Sequence, residues 1–228
     1  MSRTQKENTL KSWSYSKYSC HKLCPFQFYC KYILKVPEEK GPALVRGIKI
    51  HELGEDYLNG VRRDVPEEYR KGVVHDAIKA IKKKKYVAEQ DWAFNENWEQ
   101  VPYRSKEAFL RMKIDAHGFP ETSVIKLIDF KTGKVRDNYI EQLELYAIAA
   151  FSIYELSEAE LELWYLDHGF ITDEVVISVE QYDRLVKRWD RRVDKMFSDT
   201  KFRPRPNYLC KNYCSFAKHK SGHCKYGG

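Results

Sequence analysis

The sequence predicts an α/β fold: a central mixed β-sheet flanked by helices, with N-terminal helices ahead of it and an irregular, cysteine-bearing tail behind. Three observations predict it. Three stretches of helical pattern come before any convincing strand, three strand-like runs then follow between Tyr86 and Lys131, and a helix, two more strand-like runs and a long helix succeed them. In order, the helical patterns cover about 15–34, 44–58 and 66–83, with Pro66 suited to a first helical turn. The runs "YVAEQDWAFN", "AFLRMKIDAHG" and "SVIKLIDFK" read as strands, the last two joined through "HGFPETS" as a hairpin. A helix is expected over 137–154, strands at "LELWYLD" and "FITDEVVI", and a long helix opened by Ser178 with Gln181 three residues on, the spacing of a capping box.

At 228 residues the chain is long enough for one substantial domain with its own core. No apolar run approaches the roughly 18 residues that a membrane span needs. The opening "MSRTQKENTLKS" lacks the apolar centre of a secretory signal, so the expected location is the cytoplasm. The net charge is +7, from 40 basic and 33 acidic residues, and it is concentrated late: from Asp183 to Gly228 thirteen Lys and Arg stand against four acids. A basic end of this kind suits a polyanionic partner.

The stretch "LIDFKTGKVRDNYIEQLELYA" holds the most chemistry. Side chains alternate along a strand, so Asp129 and Lys131 share one face while Phe130 points to the other. Asp115 interrupts the preceding strand, and a hairpin pairing would set it beside them. Two close carboxylates repel unless a cation neutralises them, and an oxygen-rich site suits Mg²⁺ or Mn²⁺. A lysine there can orient or help deprotonate a water, or offset developing phosphate charge, which equips the site for metal-assisted phosphodiester hydrolysis. Asp-x-Lys alone would be an exposed ion pair; four motifs in order argue otherwise.

Those motifs are "RGIKIHELGEDYL" with Gly47 and His51, "KIDAHG" with Asp115, "LIDFKTGK" with Asp129 and Lys131, and "QLELYA" with Gln142 and Tyr146 four residues apart on one helix face. Together they resemble the PD-(D/E)XK nuclease superfamily, specifically its RecB-like exonuclease branch. Ile114 stands where the superfamily name has proline, and the motif acid is Asp129 rather than glutamate; both departures are common in the branch. The resemblance implies a restriction-endonuclease-like fold and a single nuclease domain over 1–228. It also implies His51, Asp115, Asp129 and the Phe130 carbonyl as metal ligands, Lys131 as the catalytic lysine, and Gln142 and Tyr146 as supports or DNA contacts. His51 in this position goes with end-processing members, so exonuclease action on DNA is the expectation, with a catalytically silent DNA-binding or partner-binding module as the alternative. His75, His117 and His168 have no matching position.

Six cysteines form two groups, Cys20, Cys24 and Cys30 near the start and Cys210, Cys214 and Cys224 near the end. In a reducing compartment they suggest a metal clasp between the termini rather than disulfides, with Zn²⁺ and iron–sulfur both open by spacing alone. Here the chain resembles AddB-type and CRISPR-adaptation nucleases, which carry one cysteine in an N-terminal "CP..F" segment and three near the C-terminus. That resemblance implies a 4Fe-4S cluster on Cys24, Cys210, Cys214 and Cys224, formed jointly by 15–34 and 201–228, although the gap from Cys214 to Cys224 is longer than usual. Cys20 could reach the same site; Cys30 reads as core. Bacteriophage recombination or repair nucleases are the members most similar in their ends, which would place the chain in a host cytoplasm, with a helicase or recombinase as a conceivable partner. Sixteen tyrosines and five tryptophans provide stacking platforms, though most are expected to be core.

Overall fold

The helix expected over 15–34 breaks where Pro25 removes a backbone donor. The computed structural model describes residues 8–38, 41–135 and 140–226. In it α1 (Tyr15–Leu23) ends at Cys24, whose backbone is extended at φ −155° and ψ 106°, and α2 (Pro25–Phe28) restarts with the proline at its first position and runs into one π-helical turn, Tyr29–Ile33. The next helix, α3 (Pro42–Leu58), falls where its pattern placed it. The third pattern does not form one helix. A short 3₁₀ turn, Glu67–Tyr69, is separated from α4 (Val74–Lys83) by Gly72, which has φ +48°. A Cβ there would stand 2.0 Å from the Gly169 carbonyl oxygen, so close backbone approach as well as the positive φ demands glycine.

Six strands make a mixed sheet: β1 (Val87–Phe94), β2 (Leu110–Glu121), β3 (Val124–Lys131), β4 (Glu158–Tyr165), β5 (Phe170–Ile171) and β6 (Val175–Ser178). The first three are an antiparallel meander. From β3 the chain crosses through α5 (Ile140–Ile153) to β4, which pairs parallel with β3, as a βαβ unit does. The expected start of α5 at Asp137 lies outside the described residues. β5 and β6 lie antiparallel to successive parts of β4, so the single strand expected over 170–177 is two. The hairpin turn is also shorter than expected. β2 continues through Pro120 to Glu121, and only Thr122 and Ser123 lie outside the strands. Pairing with β1 stops at His117, so Pro120 costs no hydrogen bond on that side.

The described chain packs as two compact units. One is the chain before Gly41 with that after Val186. Trp13 and Trp189 stack there with centroids 5.7 Å apart, Tyr29 stacks on Phe202 at 4.8 Å, and His21 bonds Asp199 at 2.9 Å. α6 (Tyr182–Phe197) contains the boundary. The capping box is only half formed: Ser178 accepts from Glu180 N, while Gln181 Oε1 accepts from Arg184 instead. After it the chain is irregular except for α7 (Leu209–Asn212). The other unit, Gly41–Val186, holds the sheet. Ile50 and Tyr57 of α3 and Val74, Ile78 and Ile81 of α4 bury one sheet face with Ala116, Ile128, Phe130 and Trp164. α5 covers the opposite face, with Leu143 to Ala150 all buried.

Candidate active site

Asp115 and Asp129 lie on facing strands because Ala116 pairs with Ile128, which puts the preceding β2 residue opposite the following β3 residue. This is the end of the hairpin away from its turn; strand register, as a hairpin pairing led one to expect, brings the carboxylates together. Both are buried, Asp115 at 9% and Asp129 at 4% exposure. Each is compensated differently. Asp115 Oδ2 accepts from Phe130 N at 2.6 Å, and Oδ1 lies 2.9 Å from His51 Nδ1 on α3. Asp129 Oδ1 accepts from the Tyr146 hydroxyl at 2.7 Å and from Gln142 Nε2 at 3.0 Å. Asp129 Oδ2 is buried and receives no hydrogen bond of proper direction; the Lys131 ammonium, 2.5 Å away, balances its charge.

Gln142 and Tyr146 are one helical turn apart on α5 and act as a unit, Gln142 Nε2 donating to the Tyr146 oxygen at 2.6 Å. The amide oxygen of Gln142 accepts from Lys131 Nζ at 2.8 Å. The lysine is thus held between a carboxylate and an amide while its side chain remains 29% exposed. Burial holds the Asp115 carboxyl above its ordinary range, with Asp129 adding to the effect and His51 and Phe130 N opposing it. For His51, burial disfavours the charged ring, but Asp115 and Asp129 outweigh it and its pKa ends above the usual value. Burial also pushes the Tyr146 hydroxyl well up, so it remains a donor. All six residues named from the sequence therefore meet at one place in the sheet-bearing unit.

Among the described residues, no group of three His, Cys, Asp or Glu side chains is gathered as closely as a bound ion requires. The donor chemistry nevertheless fits a hard divalent cation: two buried carboxylates side by side, one with an oxygen that receives no well-directed hydrogen bond and faces only a lysine's charge among the described partners. Lys131 supplies the positive charge in this state.

Sequence reasoning missed the residues that fix the strand end. After Lys131 the chain turns at Gly133, with φ +84°. Asp167, just past β4, accepts from Gly133 N at 2.6 Å and forms a two-pronged pair with Arg46 of α3 at 2.5 and 2.9 Å. Arg46 and the Gly133 N–H pull its pKa down to about 2 against the opposing effect of burial. His168, given no role from sequence, has Nε2 2.8 Å from the Gly133 carbonyl oxygen. The available signal was the "LDHG" turn that must follow the strand paired with β3.

In the other unit Cys24, Cys210, Cys214 and Cys224 line one cleft, and all six cysteines are free thiols. Backbone N–H groups point at two of the sulfurs, Arg205 N at Cys24 Sγ (3.4 Å) and Asn207 N at Cys210 Sγ (3.3 Å), as suits thiolate ligands. Burial pushes the Cys20 thiol up to about 12, against the opposing effect of the Lys31 ammonium. Cys30 is fully buried.

A mixed six-stranded sheet flanked by helices, with acids on adjacent strands and a lysine two residues on, is the arrangement of a restriction-endonuclease-like α/β fold. The model of the PD-(D/E)XK nuclease superfamily matches residues 12–219, and the chain belongs to that superfamily. No curated protein matches it significantly. Similar solved structures include a protein designated SSO0001, with 17% identity, 96% of this chain and 87% of that one covered, and a TM-score of 0.47. Another is a chain from Eubacterium rectale provisionally named an exonuclease, with 17% identity, 90% and 87% covered, and a TM-score of 0.48. No helix among the described residues is long and apolar enough to cross a membrane.

Proposed function

We propose that the chain is a metal-dependent deoxyribonuclease of the RecB-like branch, acting as an exonuclease in DNA recombination, repair or processing. One observation carries the reading: the β2–β3 register sets two hydrogen-bonded groups side by side, Asp115 with His51 of α3, and Asp129 and Lys131 with Gln142 and Tyr146 of α5. Asp115, Asp129, His51 and the Phe130 carbonyl would hold Mg²⁺ or Mn²⁺, which when bound neutralises the paired carboxylates and polarises a phosphodiester. The protein's own residues do the rest. Gln142 and Tyr146 fix the orientation of Asp129. Lys131, restrained by Gln142, presents an ammonium to the attacking water and to the charge that grows on phosphate. His51 bonds Asp115 and holds its carboxylate toward the site.

The domain reading is that one nuclease domain spans 1–228, with 15–34 and 201–228 forming a cysteine clasp. Four thiols on one cleft, two with N–H donors at sulfur, support a 4Fe-4S cluster on Cys24, Cys210, Cys214 and Cys224; Zn²⁺ is the alternative that the same thiols accept. End-labelled single- and double-stranded linear DNA incubated with Mg²⁺ or Mn²⁺ tests the activity. Progressive loss from an end is expected. DNA retained without cleavage in either metal would leave the silent DNA-binding module instead.

A further inference from the structure

In the unit without the sheet, Trp13, Phe28, Trp189, Phe202 and Phe216 are among the rings that are buried. Two tyrosines are far more exposed than its other Phe, Tyr and Trp rings. Tyr208 is 82% exposed and Tyr213 70%, and they bracket the single turn of α7. The segment they stand in carries one sign of charge: from Lys201 to Gly228 there are seven Lys and Arg and no Asp or Glu, although Glu38 accepts from Ser215 within it. Lys211, between them in sequence, is exposed, and Lys218, Lys220 and Lys225 are exposed on the loop that follows. Lys220 Nζ donates to the Asn212 carbonyl oxygen at 2.8 Å, which brings that loop against the end of α7 beside Tyr213.

Exposed aromatic faces in a segment rich in exposed lysines suit a partner with repeated anions and flat, apolar rings. We propose that this surface binds single-stranded DNA, with bases stacking on Tyr208 and Tyr213 and phosphates meeting Lys211, Lys218 and Lys220. A duplex hides its base faces within the stack, so it offers the tyrosines nothing. A protein partner is disfavoured because the centres of protein interfaces are depleted in lysine, whereas here an exposed lysine shares the α7 turn with the two tyrosines. The choice of DNA rests on the nuclease reading; the stacking surface itself does not.

Fluorescence anisotropy of a labelled oligothymidylate with the full chain tests it. The Lys131→Ala background, without added metal, keeps the probe intact. Combining Tyr208→Ala and Tyr213→Ala should weaken binding about tenfold or more, since one stacked base contributes roughly that much. Tyr208→Phe with Tyr213→Phe should keep binding, because the ring face remains. Lys211→Gln should lower the slope of log K against log salt by about 0.7. Both tyrosines are too exposed for their truncation to unfold the unit. Equal affinity of the Ala and parent chains would overturn the proposal, as would equal loss on a duplex probe. A change in sedimentation of the DNA-free Ala chain would reassign the surface to self-association. Cleavage by the chain carrying Lys131, measured alongside, separates the two readings: intact cleavage with no tyrosine effect rejects this surface alone, and tyrosine-dependent binding without cleavage rejects the nuclease alone.

Discussion

A carboxylate buried as deeply as Asp129 persists only if donors and countercharge replace its lost water. Three side chains do this, and Tyr146 is the one whose contribution can be removed with least change of shape. Tyr146→Phe should slow DNA cleavage by about one order of magnitude with little loss of binding, measured as kcat against KM; an unchanged kcat would remove Tyr146 from the site's support. His117 gives a pH prediction. It is 3% exposed, its Nδ1 has no hydrogen bond among the described residues, and burial pushes its pKa down to about 4. The unfolded chain takes up that proton near pH 6.5 and the folded chain resists it until about 4. Its contribution is whole above about pH 6.5 and is lost as pH falls between those values, at about 2 kcal/mol from pH 7 to 5. Urea unfolding at the two pH values should show that loss reduced in His117→Phe; an equal loss would contradict it. Sequence made the residues of the acid–lysine group legible because each carries chemistry at a fixed spacing. Beyond the "LDHG" turn it carried no sign of Asp167 or His168, whose partner Gly133 is 34 and 35 residues away and is brought to them by the β3–β4 pairing.

At the scale of elements, that pairing makes Asp167 a bridge between α3, which carries His51, and the strand end that carries Lys131. Asp167→Ala should lower kcat about tenfold while costing only about 1 kcal/mol of stability, because the Arg46 pair is solvent-exposed. Asp167→Asn should recover part of the rate, since its amide oxygen can still accept from Gly133 N. Equal rates for Asp167→Ala and the parent chain would show that the turn needs no bridge. Gly72→Ala forces a Cβ 2.0 Å from the Gly169 oxygen at a positive φ, and should cost about 2 to 4 kcal/mol by urea unfolding. Where local chemistry decides, the elements followed the sequence: α3 and the three meander strands lie where their patterns put them. Where periodicity continued across a backbone constraint it misled, as at Pro25, where a donor is missing, and at Gly72, where a contact about a hundred residues away sets φ.

For the whole molecule, the cysteine cleft and the acid–lysine group are separate chemical centres, each within its own compact unit. Protein purified without oxygen should be brown and carry about four irons per chain, lost in Cys210→Ala; a colourless protein carrying zinc would favour the alternative ion. The charge asymmetry was legible in composition, but the gathering of distant cysteines depends on how the tail folds back on the N-terminal helices, which spacing alone does not encode. The most direct test of the central claim is digestion of linear DNA in Mg²⁺ or Mn²⁺ by the parent chain and by Lys131→Ala, with DNA binding and thermal unfolding measured on the same preparations. The account predicts digestion by the parent chain and none by Lys131→Ala, with binding and unfolding temperature nearly unchanged. Digestion by Lys131→Ala as fast as by the parent chain would contradict it.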